Sequence, residues 1–321
     1  ACLSCRMRGA HYTDCRLIMS SLQDYVKMAR IAELAERFDD MKDYIFHVAT
    51  TLPEGASSIH LTAEERILFS VAYKALLSPK RSAWRNLVSL SQKEQERHDN
   101  TGFTDCLEEA KKGLEEEMLS LCSEVIDVVN KYLLVETDAN SESIDDSMYY
   151  LKLEGDYYRY EAEFLEGEAR SDAVKHAQEK YEQALKVSDA NEVSSVNSTL
   201  LSLYLNYSVF LYEITDQKEL AIKLASKAFD DAIKILDTIP EKDYKESTLI
   251  LQLLQDNLRL WSSEKEKSLS PVFNKHAIHR HQTGRQTDLI WASFPPSRAC
   301  QRAGHASPAS QHPTRCGSAC T

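Results

Sequence analysis

The chain has 321 residues, of which 43% are hydrophobic and 27% charged, enough for a core beneath a solvated surface. Its net charge of −12 is uneven: residues 1–24 carry +1 and residues 262–321 carry +5, which leaves −18 on the body between them. So acidic a body argues against nucleic-acid binding, and no run of ~18 apolar residues offers a membrane span.

Residues 1–20 read as a leader or a disordered stretch. Met19 looks like a natural start, and the apolar segment of a signal peptide is missing. Cys2 and Cys5 lack the matched second pair of a zinc site, so no metal is expected. The body, residues 21–264, contains prolines only at Pro53, Pro79 and Pro240. Its periodic segments are separated by short polar gaps, which predicts an all-α domain of nine helices. The first spans about 21–37, with Ile31, Leu34, Ala35 and Phe38 on one side. The second spans about 40–51. The third opens on Thr62 and Glu65, spaced as a capping box, and runs to about residue 100. Pro79 should kink it near Leu76 unless the distortion is absorbed nearby. The fourth spans about 103–134, the fifth 141–166, the sixth 170–188, the seventh 192–213, the eighth 217–236 and the ninth 242–264. From 265 onward Gly, Pro, Ser, His and Arg replace the apolar pattern, and a disordered basic tail is expected. Only Cys106 and Cys122 fall in the body, too few for a disulfide framework, which points to the cytoplasm.

Four helices concentrate polar chemistry. In the third, Lys74 and Arg81 share a face and Arg85 follows four residues later. In the fifth, Lys152, Asp156, Arg159 and Tyr160 share another. Asn206, Val209, Phe210 and Glu213 line one side of the seventh, with Leu205 beside them. Ile250, Leu253, Asn257, Leu260 and Trp261 line one side of the ninth. Taken singly, each has an ordinary reading: solvated charges, an i,i+3 Asp156–Arg159 pair, a core stripe, mutually satisfied amides. Taken together, and with the third and fifth helices side by side, three cations and a phenol converge, and cations so placed repel unless an anion sits among them. Planar guanidinium donors and a phenol suit a tetrahedral dianion such as phosphoserine. The seventh and ninth helices would supply an apolar wall with two carboxamides able to pair with an extended main chain.

At these residues the sequence resembles the 14-3-3 family of phosphopeptide-binding adapters. The runs that carry the resemblance are RIAELAERFDDM (30–41), LFSVAYKALLSPKRSAWR (68–85), GDYYRYEAE (155–163), LNYSVFLYEI (205–214) and STLILQLLQDNLRLW (247–261). It implies nine antiparallel helices forming a cup-shaped amphipathic groove, a dimer, no catalytic activity and no cofactor. It also implies that Lys74, Arg81, Arg159 and Tyr160 bind phosphate. Asn206 and Asn257 would hold the peptide main chain, and Lys152, Leu205, Val209, Glu213, Ile250, Leu253, Leu260 and Trp261 would line the groove. Ile31, Ala35, Arg37, Phe38, Asp40 and Glu117 would form the dimer face, with Glu117 a partner for Arg37 across it. Homodimers or heterodimers with a paralogue are both consistent with this.

Departures are visible as well. Ala83 stands where some members carry a phosphorylated serine. Gly113 stands where a lysine would face Asp40, so that bridge is expected to be absent, and Glu154 replaces a frequent lysine and should make the groove rim less basic. In the tail, Arg280 precedes Thr283 by three residues and Arg315 precedes Ser318 by three, spacings that suit a basophilic kinase. A tail so phosphorylated would be able to occupy its own groove. The competing reading is a helical-repeat scaffold for unmodified peptides. An enzymatic reading finds no Gly-rich phosphate loop, metal cluster or nucleophile motif in the body.

Overall fold

The computed structural model describes residues 21–96, 102–134, 141–238 and 240–269. The proposed leader and the tail beyond Leu269, with Thr283 and Ser318, lie outside the described residues. Helix α1 (Leu22–Leu34) buries Val26, Ala29 and Ala32 on one face. It ends in a Schellman turn: the Glu36 N–H donates to the Glu33 carbonyl at 3.0 Å and the Arg37 N–H to the Ala32 carbonyl at 2.9 Å. That closure requires a left-handed residue, and Glu36 takes the position at φ 53°. Helix α2 (Phe38–Thr50) follows at once and buries Met41, Tyr44, Ile45, Val48 and Ala49.

Helix α3 (Ala63–Glu96) starts on the predicted capping box. The Thr62 N–H donates to Glu65 Oε2 at 2.8 Å, and the Glu65 N–H donates back to Thr62 Oγ1 at 3.3 Å. The helix continues unbroken through Pro79. Helix α4 (Gly102–Val128) passes into a π-helical turn, Val129–Leu133, which the Ile59 N–H caps at the Tyr132 carbonyl, 2.7 Å. Helices α5 (Ser141–Phe164) and α6 (Gly167–Ala190) form the most extensive pairing in the domain. Helices α7 (Ser198–Glu213), α8 (Lys218–Ile233) and α9 (Glu241–Leu269) complete the array.

Among the described residues there are nine α-helices and no strand, so the fold is all-α as the sequence predicts. Several boundaries shift, two of them by five residues or more within a continuous helical run. Helix α7 begins at Ser198 rather than 192, because Glu192 turns left-handed at φ 49° and Asn197 caps the helix through the Leu200 N–H at 2.9 Å. Helix α9 runs five residues past its expected end at 264.

Two apolar clusters hold the array together. One joins α1 to α5 through Met41, Phe69, Tyr73, Met118, Tyr157 and Tyr160; the other joins α5 to α9 through Leu151, Tyr181, Phe210, Leu254 and Trp261. Helix α5 belongs to both, and Tyr158 packs against both. Alternate faces of one helix therefore close two cores, and a polar stripe is left between them.

Candidate functional site

Helices α3 and α5 each pack on α4, and they meet through their side chains rather than along their backbones. That arrangement leaves room between them for Arg81 and Arg159, each only 2% exposed. Both guanidinium carbons lie over the Tyr160 ring, at 4.2 and 4.6 Å from its centroid. Lys74 stands near Lys152, its ammonium pKa lowered to about 8 by burial and by that neighbouring charge.

The anion that these cations require is supplied by the chain itself. Glu163 accepts from Arg81 Nε at 3.1 Å and from a second nitrogen of the same guanidinium. Arg85 lies 3.6 Å from its Oε2 and Arg159 lies 4.0 Å from its Oε1. Burial works to raise the Glu163 carboxyl, but Arg81, then Arg85 and Arg159, outweigh it and hold the group ionised below its usual range. Glu163 does not figure among the sequence-derived site residues, and Arg85, noted there four residues after Arg81, has no role assigned to it. The signal was present, since Glu163 stands four residues after Arg159 on the same helical stripe.

Asp156 is the second anion of the stripe. It is 1% exposed and takes Lys152 Nζ at 3.0 Å, the Tyr181 hydroxyl at 2.6 Å and Asn206 Nδ2 at 2.9 Å, with Arg159 at 3.9 Å. Tyr181 reaches it because position 155 is glycine: a Cβ there would lie 2.8 Å from the Tyr181 ring. The exposed i,i+3 pair considered from sequence is thus a buried hub.

On the opposite side, Asn257 is buried and its Nδ2 finds no hydrogen-bond partner among the described residues; nor does Arg159 Nη1. Glu213 sits near the arginines with its carboxyl pushed up to about 7, by burial first, against the opposing pull of Arg159. Of the apolar candidates, Leu205, Val209, Ile250 and Trp261 are almost wholly buried, Leu253 is half-buried and Leu260 is 37% exposed. Trp261 stacks on Tyr212 at 4.5 Å and 11°, so its ring is a packing element of the second core.

A family model described as 14-3-3 protein matches residues 28–262. The chain belongs to the 14-3-3 family. It is 40% identical over 249 residues to the checkpoint signal transducer rad24 of Schizosaccharomyces pombe, covering 78% of this chain and 88% of that relative. It is 40% identical over 242 residues to 14-3-3-like protein C of Glycine max, covering 75% and 89%. It is 41% identical over 244 residues to a 14-3-3 protein homolog of Encephalitozoon cuniculi, covering 76% and 92%.

Within this 14-3-3 domain, the residues expected at a dimer face are arranged as follows. Ile31 is 55% exposed, and Leu34 beside it is similarly open. Phe38 packs partly into the first core, and Asp40 is buried in an ion pair with Arg37 of the same chain. Glu117 pairs with Lys80 of the same chain. Arg37 and Glu117, expected to face each other across a dimer, thus each hold a partner within the protomer. Glu154 corrects another expectation. It is fully buried rather than on the rim, and it accepts from Asn130 at 2.6 Å and Lys180 at 2.8 Å, a cross-link from the end of α4 through α5 to α6. Among the described residues no helix is long and apolar enough to cross a membrane, and no group of three His, Cys, Asp or Glu is placed to hold a metal ion.

Proposed function

We propose that this 14-3-3 protein is a non-enzymatic adapter that binds phosphoserine or phosphothreonine motifs of client proteins. Lys74, Arg81, Arg159 and Tyr160 take the phosphate. Asn206 and Asn257 take the main chain, and Lys152, Glu213, Leu205, Val209, Ile250, Leu253, Leu260 and Trp261 form the surroundings. The protein acts as a cytoplasmic dimer through the face that includes Ile31, Ala35, Arg37, Phe38, Asp40 and Glu117. Two grooves per dimer raise the affinity for clients that carry two motifs.

The observation that carries this reading is the convergence of Arg81 and Arg159 on one ring and one carboxylate oxygen while both are buried. Buried guanidiniums aligned on a common point offer planar donors to a tetrahedral dianion. Arg159 Nη1, which makes no hydrogen bond beyond its 4.0 Å ion pair with Glu163, and Asn257 Nδ2 add donors that a bound peptide would satisfy. Titration with an Arg-x-x-phosphoSer-x-Pro peptide and its unphosphorylated twin tests the proposal. The phosphopeptide alone should bind, and Arg81→Glu or Arg159→Glu should abolish the difference. Equal binding of the two peptides by the native chain would overturn it in favour of a scaffold for unmodified segments.

A further inference from the structure

The geometry points to Asp156 as a positioning residue that fixes Asn206 as a hydrogen-bond acceptor for a main-chain N–H of a bound client. This rests on the peptide-binding reading above and gives Asn206 a fixed polarity within it.

Asn206 Nδ2 lies 2.9 Å from both Asp156 oxygens. An ionised carboxylate only accepts, so the amide can face it only through its N–H groups. A flipped amide would set Oδ1 against two carboxylate oxygens, an arrangement without a proton between them. Asp156 in turn is locked: Lys152 holds one oxygen at 3.0 Å, and the Tyr181 hydroxyl holds the other at 2.6 Å. Tyr181 is itself wedged over Gly155 and stacked on Tyr207 at 5.3 Å. The carboxylate therefore cannot rotate to release the amide. With Nδ2 committed inward, Oδ1 is the polar atom Asn206 has left, and it accepts from an N–H. Asn257 has no such carboxylate against its Nδ2, which is buried without a hydrogen-bond partner among the described residues.

The test is a set of phosphopeptides in which each main-chain amide flanking the phosphoserine is replaced in turn by an ester, which deletes one N–H. In the native protein one ester should weaken binding about tenfold, the ordinary cost of leaving an acceptor unpaired. In Asp156→Asn the same ester should cost less than twofold, because Asn206 is then free to turn. A general weakening would not produce this selective loss of the ester effect. An ester penalty that is absent in the native protein, or equal in the variant, overturns the inference. Should no native peptide bind at all, the phosphopeptide reading itself fails, a distinct result. Amide proton spectra of the native protein give a second readout that requires no variant. The Asn206 side-chain N–H signals should be protected before peptide is added and unchanged after. Protection that appears only with peptide would equally overturn the assignment.

Discussion

Glu163→Gln isolates the internal anion of the arginine cluster. The change keeps the shape of the side chain and removes one charge, which leaves Arg81 and Arg159, both 2% exposed, without the carboxylate that neutralises them. Breaking a buried ion pair by removing one partner costs about 3–5 kcal/mol. In a domain of this size each kcal/mol shifts the melting temperature by roughly 2–4 °C, so the variant should melt about 10 °C lower. The informative measurement is the same melt in saturating phosphopeptide. A bound dianion restores the missing negative charge, so it should raise the variant's melting temperature by several degrees more than it raises that of the native chain. Scanning calorimetry on four samples, native and variant with and without peptide, closes the cycle. A variant as stable as the native chain would refute the counter-ion argument. So would a peptide-induced gain of the same size in both proteins, since the ligand would then not share the arginines with Glu163.

Other outcomes follow from geometry already described. Glu36→Gly should stabilise the domain by up to about 1 kcal/mol in urea titration, because Glu36 sits at φ 53° and glycine adopts that conformation without strain. Gly155→Ala should cost about 1–3 kcal/mol and weaken phosphopeptide binding, because the new Cβ meets a Tyr181 ring that cannot yield without leaving Asp156. The Glu161 carboxyl is pushed up to about 7 by burial, so the folded state holds its proton more tightly than the unfolded chain does. Stability from this group is full below the ordinary carboxylate range and is lost as pH rises to about 7; Glu161→Gln should flatten that fall, on the order of 1 kcal/mol between pH 5 and 8. Lys74, lowered to about 8, should make phosphopeptide affinity decline above that pH, and Lys74→Arg should move the decline to much higher pH in calorimetric titrations.

Much of the fold was legible because helices announce themselves locally. The capping box at Thr62 and Glu65 and the scarcity of proline needed no tertiary information, and the structure bears both readings out. The late start of α7 was not legible. Asn197 is a favoured N-cap type, but the left-handed Glu192 that breaks the chain before it is a conformation that the residue type does not favour. At the site, spacing placed Lys152, Asp156 and Arg159 on one face, but it did not say which partner each would find. Asp156 gathers groups from α5, α6 and α7, and Tyr181 and Asn206 become its neighbours only through packing. Glu154 shows the same limit in reverse. A carboxylate in place of a lysine reads as a surface change, yet Lys180 and Asn130 enclose it in the interior. Helical periodicity assigns a face, and the neighbouring helices decide whether that face is groove or core.

The sharing of α5 between two apolar clusters has a mechanical consequence. The amino-terminal and carboxy-terminal halves are two separate masses joined along one rod, and the arginine pocket bridges the joint: Arg81 comes from one half, Asn206 and Asn257 from the other, and Arg159 and Glu163 from the rod itself. A phosphopeptide held by the two arginines and both asparagines, as proposed, would brace that seam against bending.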